Sequence, residues 1–107
     1  MIQNVRKKIW NTYYSGLKEW AKNNGIGFPI VPDDCQQAYH MFYLLMPSEI
    51  IRTEFINYLK EFGISAVFHY SALDASVMGK TFLNQNNICN VSNNIAQSIV
   101  RLPFYYS

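Results

Sequence analysis

The stretch from Tyr39 to His69 constrains the fold more than any other. In "YHMFYLLM" an extended backbone puts Tyr39, Met41, Tyr43 and Leu45 on one face and His40, Phe42 and Leu44 on the other. Both faces are apolar, so the pattern predicts a strand covered on both sides. Pro47-Ser48 then opens a helix, with Ser48 as N-cap and Glu49 in the positive first turn. Ile51, Phe55, Tyr58, Leu59 and Phe62 recur at helical steps as its buried face, and Gly63 ends it. A second apolar run, Ile64 to His69, follows directly. Strand, helix and strand in this order predict two parallel strands joined by a crossover helix.

The flanking segments add helices. Ile2, Val5, Ile9, Tyr13, Leu17 and Trp20 recur at steps of three and four, which predicts an amphipathic helix over residues 2–22. Trp10 and Tyr14 widen its stripe, and Gly25 and Gly27 stop it. "NNGIGFPIVPDDC" holds two prolines and two glycines and reads as a loop. A short helix is expected from Ser92, as cap, to about Val100, with Ile95 and Ile99 inward. "RLPFYYS" closes the chain as an extended piece, and Pro103 confines it to a sheet edge or strand end. The expected class is α+β, with helices packed on a small sheet of about three strands. The expected organisation is an N-terminal helix at 1–23, a loop or hinge at 24–36, and a small α+β subdomain at 37–107.

Composition narrows the function classes. Only 15% of the 107 residues are charged, against 50% hydrophobic, and the net charge is +2. The charged fraction of ordinary domains is roughly a quarter, so more surface than usual is expected to lie buried or under a partner. One basic cluster, Arg6-Lys7-Lys8, does not make the basic stripe of a nucleic-acid binder. Cys35 and Cys89 form no C-x-x-C pair, and Cys35 and His40 have no second pair to complete a zinc site. "MIQNVRKKIW" has no apolar signal-peptide core, and no run approaches the length of a membrane span. A cytoplasmic protein with reduced cysteines is expected.

Catalytic motifs are sparse. The chain contains no P-loop, no G-x-G-x-x-G, no H-E-x-x-H and no nucleophile elbow. Asp33-Asp34 are adjacent in a proline-rich loop and read as solvated, while Asp74 stands alone. His40, inside an apolar run, reads as a hydrogen-bonded core residue. His69 and Tyr70 sit at a strand end, where scaffolds present functional groups, and are the candidate site residues.

The order of three motifs resembles one family. "PDDCQQAYHMFYLLM", "RTEFINYLKEFGISAVFHYSALDASVMGKTF" and "SIVRLPFYY", over roughly residues 30–106, are similar to the C-terminal part of the DegT/StrS group of pyridoxal-phosphate aminotransferases. The resemblance implies a small α+β domain of a fold type I enzyme that closes over a substrate cleft. It implies transfer of an amino group from glutamate to a dTDP-4-keto-6-deoxy sugar, with pyridoxal phosphate as electron sink. It also implies a homodimer and a role in lipopolysaccharide or O-antigen biosynthesis. Carried over residue by residue, it makes His69, Tyr70, Ser71 and Asp74 substrate-binding and matches Gly79 and Phe82 to a later Gly-x-x-Phe. The family's His-Tyr-x-Pro-Leu-His becomes His69-Tyr70-Ser71-Ala72-Leu73-Asp74 here. An acid beside a diphosphate repels it unless it points away.

The resemblance assigns no catalytic, cofactor-binding or metal-binding residue to this chain. The aldimine lysine belongs to a large domain that would precede this segment, and Lys60 and Lys80 fall at small-domain positions. The expectation is therefore an excised, split or remnant small domain whose partner is the large domain, inactive and without cofactor by itself. A stand-alone interaction or self-association domain is the alternative.

Overall fold

The computed structural model describes residues 1–82 and 89–105. Chain order is helix α1 (Ile2–Asn23), strand β1 (Tyr43–Leu45), helix α2 (Glu49–Glu61), a 3₁₀ turn (Leu73–Ala75), short helix α3 (Val77–Thr81), helix α4 (Asn90–Ser98) and strand β2 (Ile99–Arg101). This is the expected α+β class.

The helix boundaries follow the caps. The Ser48 hydroxyl accepts the Ile51 amide at 3.2 Å and starts α2. Gly25 and Gly63 lie just past α1 and α2 with φ of 65° and 74°, a conformation that glycine adopts without a Cβ clash. Beyond them the amides of Ile26 and Ile64 reach back to Ala21 and Leu59, each at 2.9 Å, which closes both helices in Schellman fashion.

The sheet departs from the expected topology. β1 pairs antiparallel with β2, in the register Tyr43↔Arg101, Leu44↔Val100 and Leu45↔Ile99. Single antiparallel bridges extend it, Gly27 to Leu45 on one side and Val67 to Arg101 on the other. β1 and the Val67 segment are both antiparallel to β2, so they run the same way, as a crossover helix requires. They are not neighbours, because β2 lies between them. The missing element was Ile99-Val100, expected inside the last helix. These β-branched residues leave the helix at Ser98 and bury themselves in the ladder.

Other corrections share one cause: the sheet is short. α1 has 22 residues, while β1 has three. At ~1.5 Å per helical residue against ~3.3 Å per strand residue, the helix is about three times longer than the strand it covers. Only its middle and end are therefore buried. Trp10 and Ala21 lie inside with Tyr13, Tyr14 and Leu17 packed around them, while Ile2, Val5 and Trp20 are exposed. On α2 the inward residues are Phe55, Ile56 and Leu59, whereas Ile51, Tyr58 and Phe62 are exposed. Ile95 of α4 is also exposed. His40 is not a core residue: Tyr39 adopts φ 50°, which turns the chain before the ladder begins and leaves His40 exposed in a bend. The run from Ile64 to His69 holds only the Val67 bridge, with Ala66 its one buried residue.

The core gathers Trp10, Phe42, Leu44, Met46, Ala66, Val100 and Leu102. Phe42 is its centre, with ring centroids 5.5 Å from Trp10, 5.2 Å from Tyr13 and 5.4 Å from Phe28. Burying a phenylalanine side chain stabilises by ~1.5–3 kcal/mol, and edge-on ring pairs add to it. The Tyr13 hydroxyl donates to the Pro103 carbonyl at 2.8 Å, which ties α1 to the segment after β2. Burial, and then Tyr105 nearby, raise the Tyr13 phenol above its ordinary value.

Candidate functional site

The candidate site begins where the sheet ends. Val67 and Arg101 exchange both backbone hydrogen bonds, at 3.1 and 2.7 Å, which fixes this segment to β2. Alternation beyond the bridge then sends the next side chains to opposite sides. His69 faces Arg101, with Nδ1 3.5 Å from Nη1, a hydrogen bond when Nδ1 is the bare nitrogen. Phe68 faces α2, with the Arg52 guanidinium 5.9 Å from its ring centroid. The His69 and Tyr70 rings lie 4.7 Å apart, tilted by 60°.

Tyr70 and Ser71 open onto a cavity of about 270 Å³ between α2, α4 and the loop that follows them. Glu49 and Arg52 of α2 line it, with Phe68, Ala72 and Ala75 of the loop and Asn93, Ala96 and Gln97 of α4. Arg52 Nη1 donates to the Ala96 carbonyl at 3.0 Å, in the last turn of α4 where carbonyls lack helical partners. Glu49 lies 3.6 Å from Nη2.

Asp74 is turned elsewhere. Its Oδ2 accepts the Cys89 amide at 2.9 Å and the Asn93 side-chain amide at 2.7 Å. It thereby caps the N-terminus of α4, whose N-cap residue Cys89 makes no side-chain cap bond. The Cys89 amide is the main cause that holds the carboxyl below its ordinary value; burial opposes it, and the Asn93 amide adds to the lowering. Tyr70 and Ser71 thus share a cavity, His69 stands on the Arg101 side, and Asp74 holds a helix. Arg52, Asn93 and Gln97 escaped the sequence reading. The one available signal for Arg52 was its place at i+3 from Glu49, on a face otherwise apolar.

Gly79 packs this loop. A Cβ there would lie 1.7 Å from the Leu73 carbonyl oxygen, so only glycine lets α3 fold back on the 3₁₀ turn.

Solved aminotransferases carry this fold. An aminotransferase, TlmJ, from Streptoalloteichus hindustanus superposes with a TM-score of 0.77 at 18% identity, over 95% of this chain and 26% of that one. DesV from S. venezuelae, solved with a ketimine intermediate, gives 0.78 at 24% identity, over 92% and 25%. A DegT DnrJ EryC1 StrS aminotransferase from Brucella abortus gives 0.75 at 20% identity, over 96% and 26%. The chain therefore spans about a quarter of each of these proteins. The model of the DegT/DnrJ/EryC1/StrS aminotransferase family matches residues 1–107, and the chain belongs to that family. The likeness expected over residues 30–106 thus extends through α1.

Proposed function

We propose that this chain is the small-domain portion of a pyridoxal-phosphate-dependent sugar-nucleotide aminotransferase. In this reading His69, Tyr70 and Ser71 form the rim of the cleft that receives a dTDP-4-keto-6-deoxy sugar, and glutamate supplies the amino group. The activity proposed is that of a dTDP-4-amino-4,6-dideoxygalactose transaminase. The family match over the whole chain carries the reading. It requires as partners the remaining domain and a second subunit, and it places the enzyme in the cytoplasm. Among the described residues no helix is long and apolar enough to cross a membrane. Asp74, capping α4, acts in this reading by positioning the loop behind the rim.

The described residues do not themselves fit pyridoxal phosphate. That cofactor needs a lysine converging with an anion cradle. Lys60 and Lys80 are exposed, and no lysine lines the cavity at Tyr70. Lys7 lines a cavity that Asp33 and Asp34 share, where they would repel a phosphate, and a surface hollow with Lys8 that is built from α1 alone, Asn4 to Ser15, with no second element converging on it. The cofactor is accordingly assigned to polypeptide outside this segment, and no step is derived through it here. Mixed with pyridoxal phosphate, the isolated chain is expected to show no aldimine absorbance and no transamination; a lysine-linked adduct would overturn the assignment. Titration with dTDP-glucose tests the rim. Shifts of the His69 and Tyr70 ring resonances are expected, diminished in Tyr70→Ala, whereas unmoved rings would refute the rim assignment.

A self-association domain is a second reading, favoured by the exposure of Leu73, Val77, Met78 and Phe82 along one loop.

A further inference from the structure

The cavity beside Tyr70 and Ser71 has a cationic wall whose charge is only weakly answered. The Arg52 side chain is 14% exposed, and its one acidic contact among the described residues, Glu49, is 58% exposed and 3.6 Å away. An exposed carboxylate at that range neutralises little, since solvent screens it. A guanidinium carries five N–H donors and no acceptor. Here one donor is taken by the Ala96 carbonyl, and the buried Nε has no hydrogen-bond partner among the described residues. Packing over Phe68 and the bond to Ala96 hold the fork in place, so its orientation is set before any ligand arrives. The second acid of this region is withdrawn, because the Asp74 carboxylate is engaged by Cys89 and Asn93. Ser71, which carries a hydroxyl donor, lines the same cavity. A volume of about 270 Å³ admits one phosphoryl or carboxylate group. It is below the ~300–1,000 Å³ of pockets that enclose a whole drug-sized ligand.

We infer that this cavity is an anion subsite, in which Arg52 anchors a phosphoryl or carboxylate group and the Ser71 hydroxyl gives a second hydrogen bond. It rests on the proposed rim, because it takes Tyr70 and Ser71 as ligand-facing and the anion as part of the molecule they meet. Glu49 is the competitor: it holds the guanidinium until a better acceptor displaces it. Arginine with an oxyanion forms charge-assisted, paired bonds that a single exposed carboxylate does not match.

The test is an NMR titration of the full chain with inorganic phosphate, pyrophosphate and glutamate, each read at the Arg52 Nε–H and the Ser71 amide. Saturable shifts at both are expected. Glu49→Gln should lower the dissociation constant, by about threefold if the competing contact is of surface strength. Arg52→Lys keeps the charge but loses the fork, and should raise it by about tenfold with the circular dichroism unchanged. Ser71→Ala, on an exposed residue, gives a smaller loss without risk to the fold. Response to the phosphates alone identifies a phosphoryl source, response to glutamate alone a carboxylate source, and either supports the subsite. No response at Arg52 to any of the three, or equal binding by Arg52→Lys, overturns it. A parallel titration with dTDP-glucose separates the two readings. If Tyr70 shifts while Arg52 ignores all three anions, the subsite falls and the rim stands. If Arg52 binds them while dTDP-glucose leaves Tyr70 unmoved, the rim falls and the subsite stands.

Discussion

Two regions of this molecule are rich in apolar side chains and end in opposite states. On the α1 side, Phe42 is 0% exposed under Trp10, Tyr13 and Phe28. On the rim side, Leu73 and Val77 are 86% and 89% exposed, and Phe68, Tyr70, Met78 and Phe82 are exposed with them. The difference lies in what covers them. β1 has α1 and the 24–36 loop on it, because Gly27 bonds to the edge of β1 and draws Phe28 over Phe42. The 68–82 loop has no comparable second layer among the described residues. Apolar content thus marks where a surface is to be covered, and connectivity decides whether this chain does the covering.

The largest test of that contrast is Phe42→Ala. Removing a fully enclosed aromatic ring costs ~3–5 kcal/mol, a large share of the ~5–15 kcal/mol that holds a domain together. Urea unfolding followed by circular dichroism should show the midpoint fall sharply or the transition vanish. A loss comparable to that of an exposed substitution would mean the aromatic cluster is not the core.

Gly79→Ala comes next. The added Cβ would meet the Leu73 backbone oxygen, which cannot swing aside as a flexible side chain can. A loss of ~1–3 kcal/mol is expected, the range of overpacked sites. It should be felt as lost amide protection over residues 73–82 while β1 and β2 keep theirs. Full protection of the loop would show that α3 does not fold back on the 3₁₀ turn.

Leu73→Ser should change global stability by no more than ~0.5 kcal/mol, since it removes no buried contact. In the self-association reading its effect is on association. Sedimentation should show less self-association than the parent chain, and an unchanged weight-average mass would remove the rim loop from any interface.

How much of this was legible beforehand depended on whether a residue's role is local. Ser48, Gly25 and Gly63 act through their own backbone and its nearest turn, and each was read correctly from its place beside a periodic run. Residues 99–100 were misread because a β-branched pair after a polar helix is compatible with either state. Only the partner strand, more than fifty residues earlier, decides it. His40 was misread for the related reason that the positive φ at Tyr39 leaves no mark in an apolar run. The rim shows the same division. His69-Tyr70 was visible as the end of an apolar run, whereas Arg52 approaches from another element and is joined to it by packing against Phe68 and α4. The role of Asp74 as a cap was hidden because the amide it caps lies fifteen residues further along the chain.

The smallest expected effect is also the most specific, and it links the rim loop to α4. Hydrogen bonds hold the Asp74 carboxyl below its ordinary 3.8 in the folded chain. A depressed carboxyl stabilises the fold above its unfolded value, and that contribution disappears as pH falls through the folded value. The cap is therefore intact at neutral pH and is released in acid, below 3.8. The Cys89 amide, which donates to this oxygen at 2.9 Å, reports the event directly. Its chemical shift should titrate with an inflection below 3.8, and Asp74→Asn should abolish that inflection. The stability difference between parent and variant should narrow over the same window. An inflection at or above the ordinary value would mean the carboxylate is not bonded to α4. Asp74 would then be available to the rim, where its charge would oppose the anion assigned to Arg52.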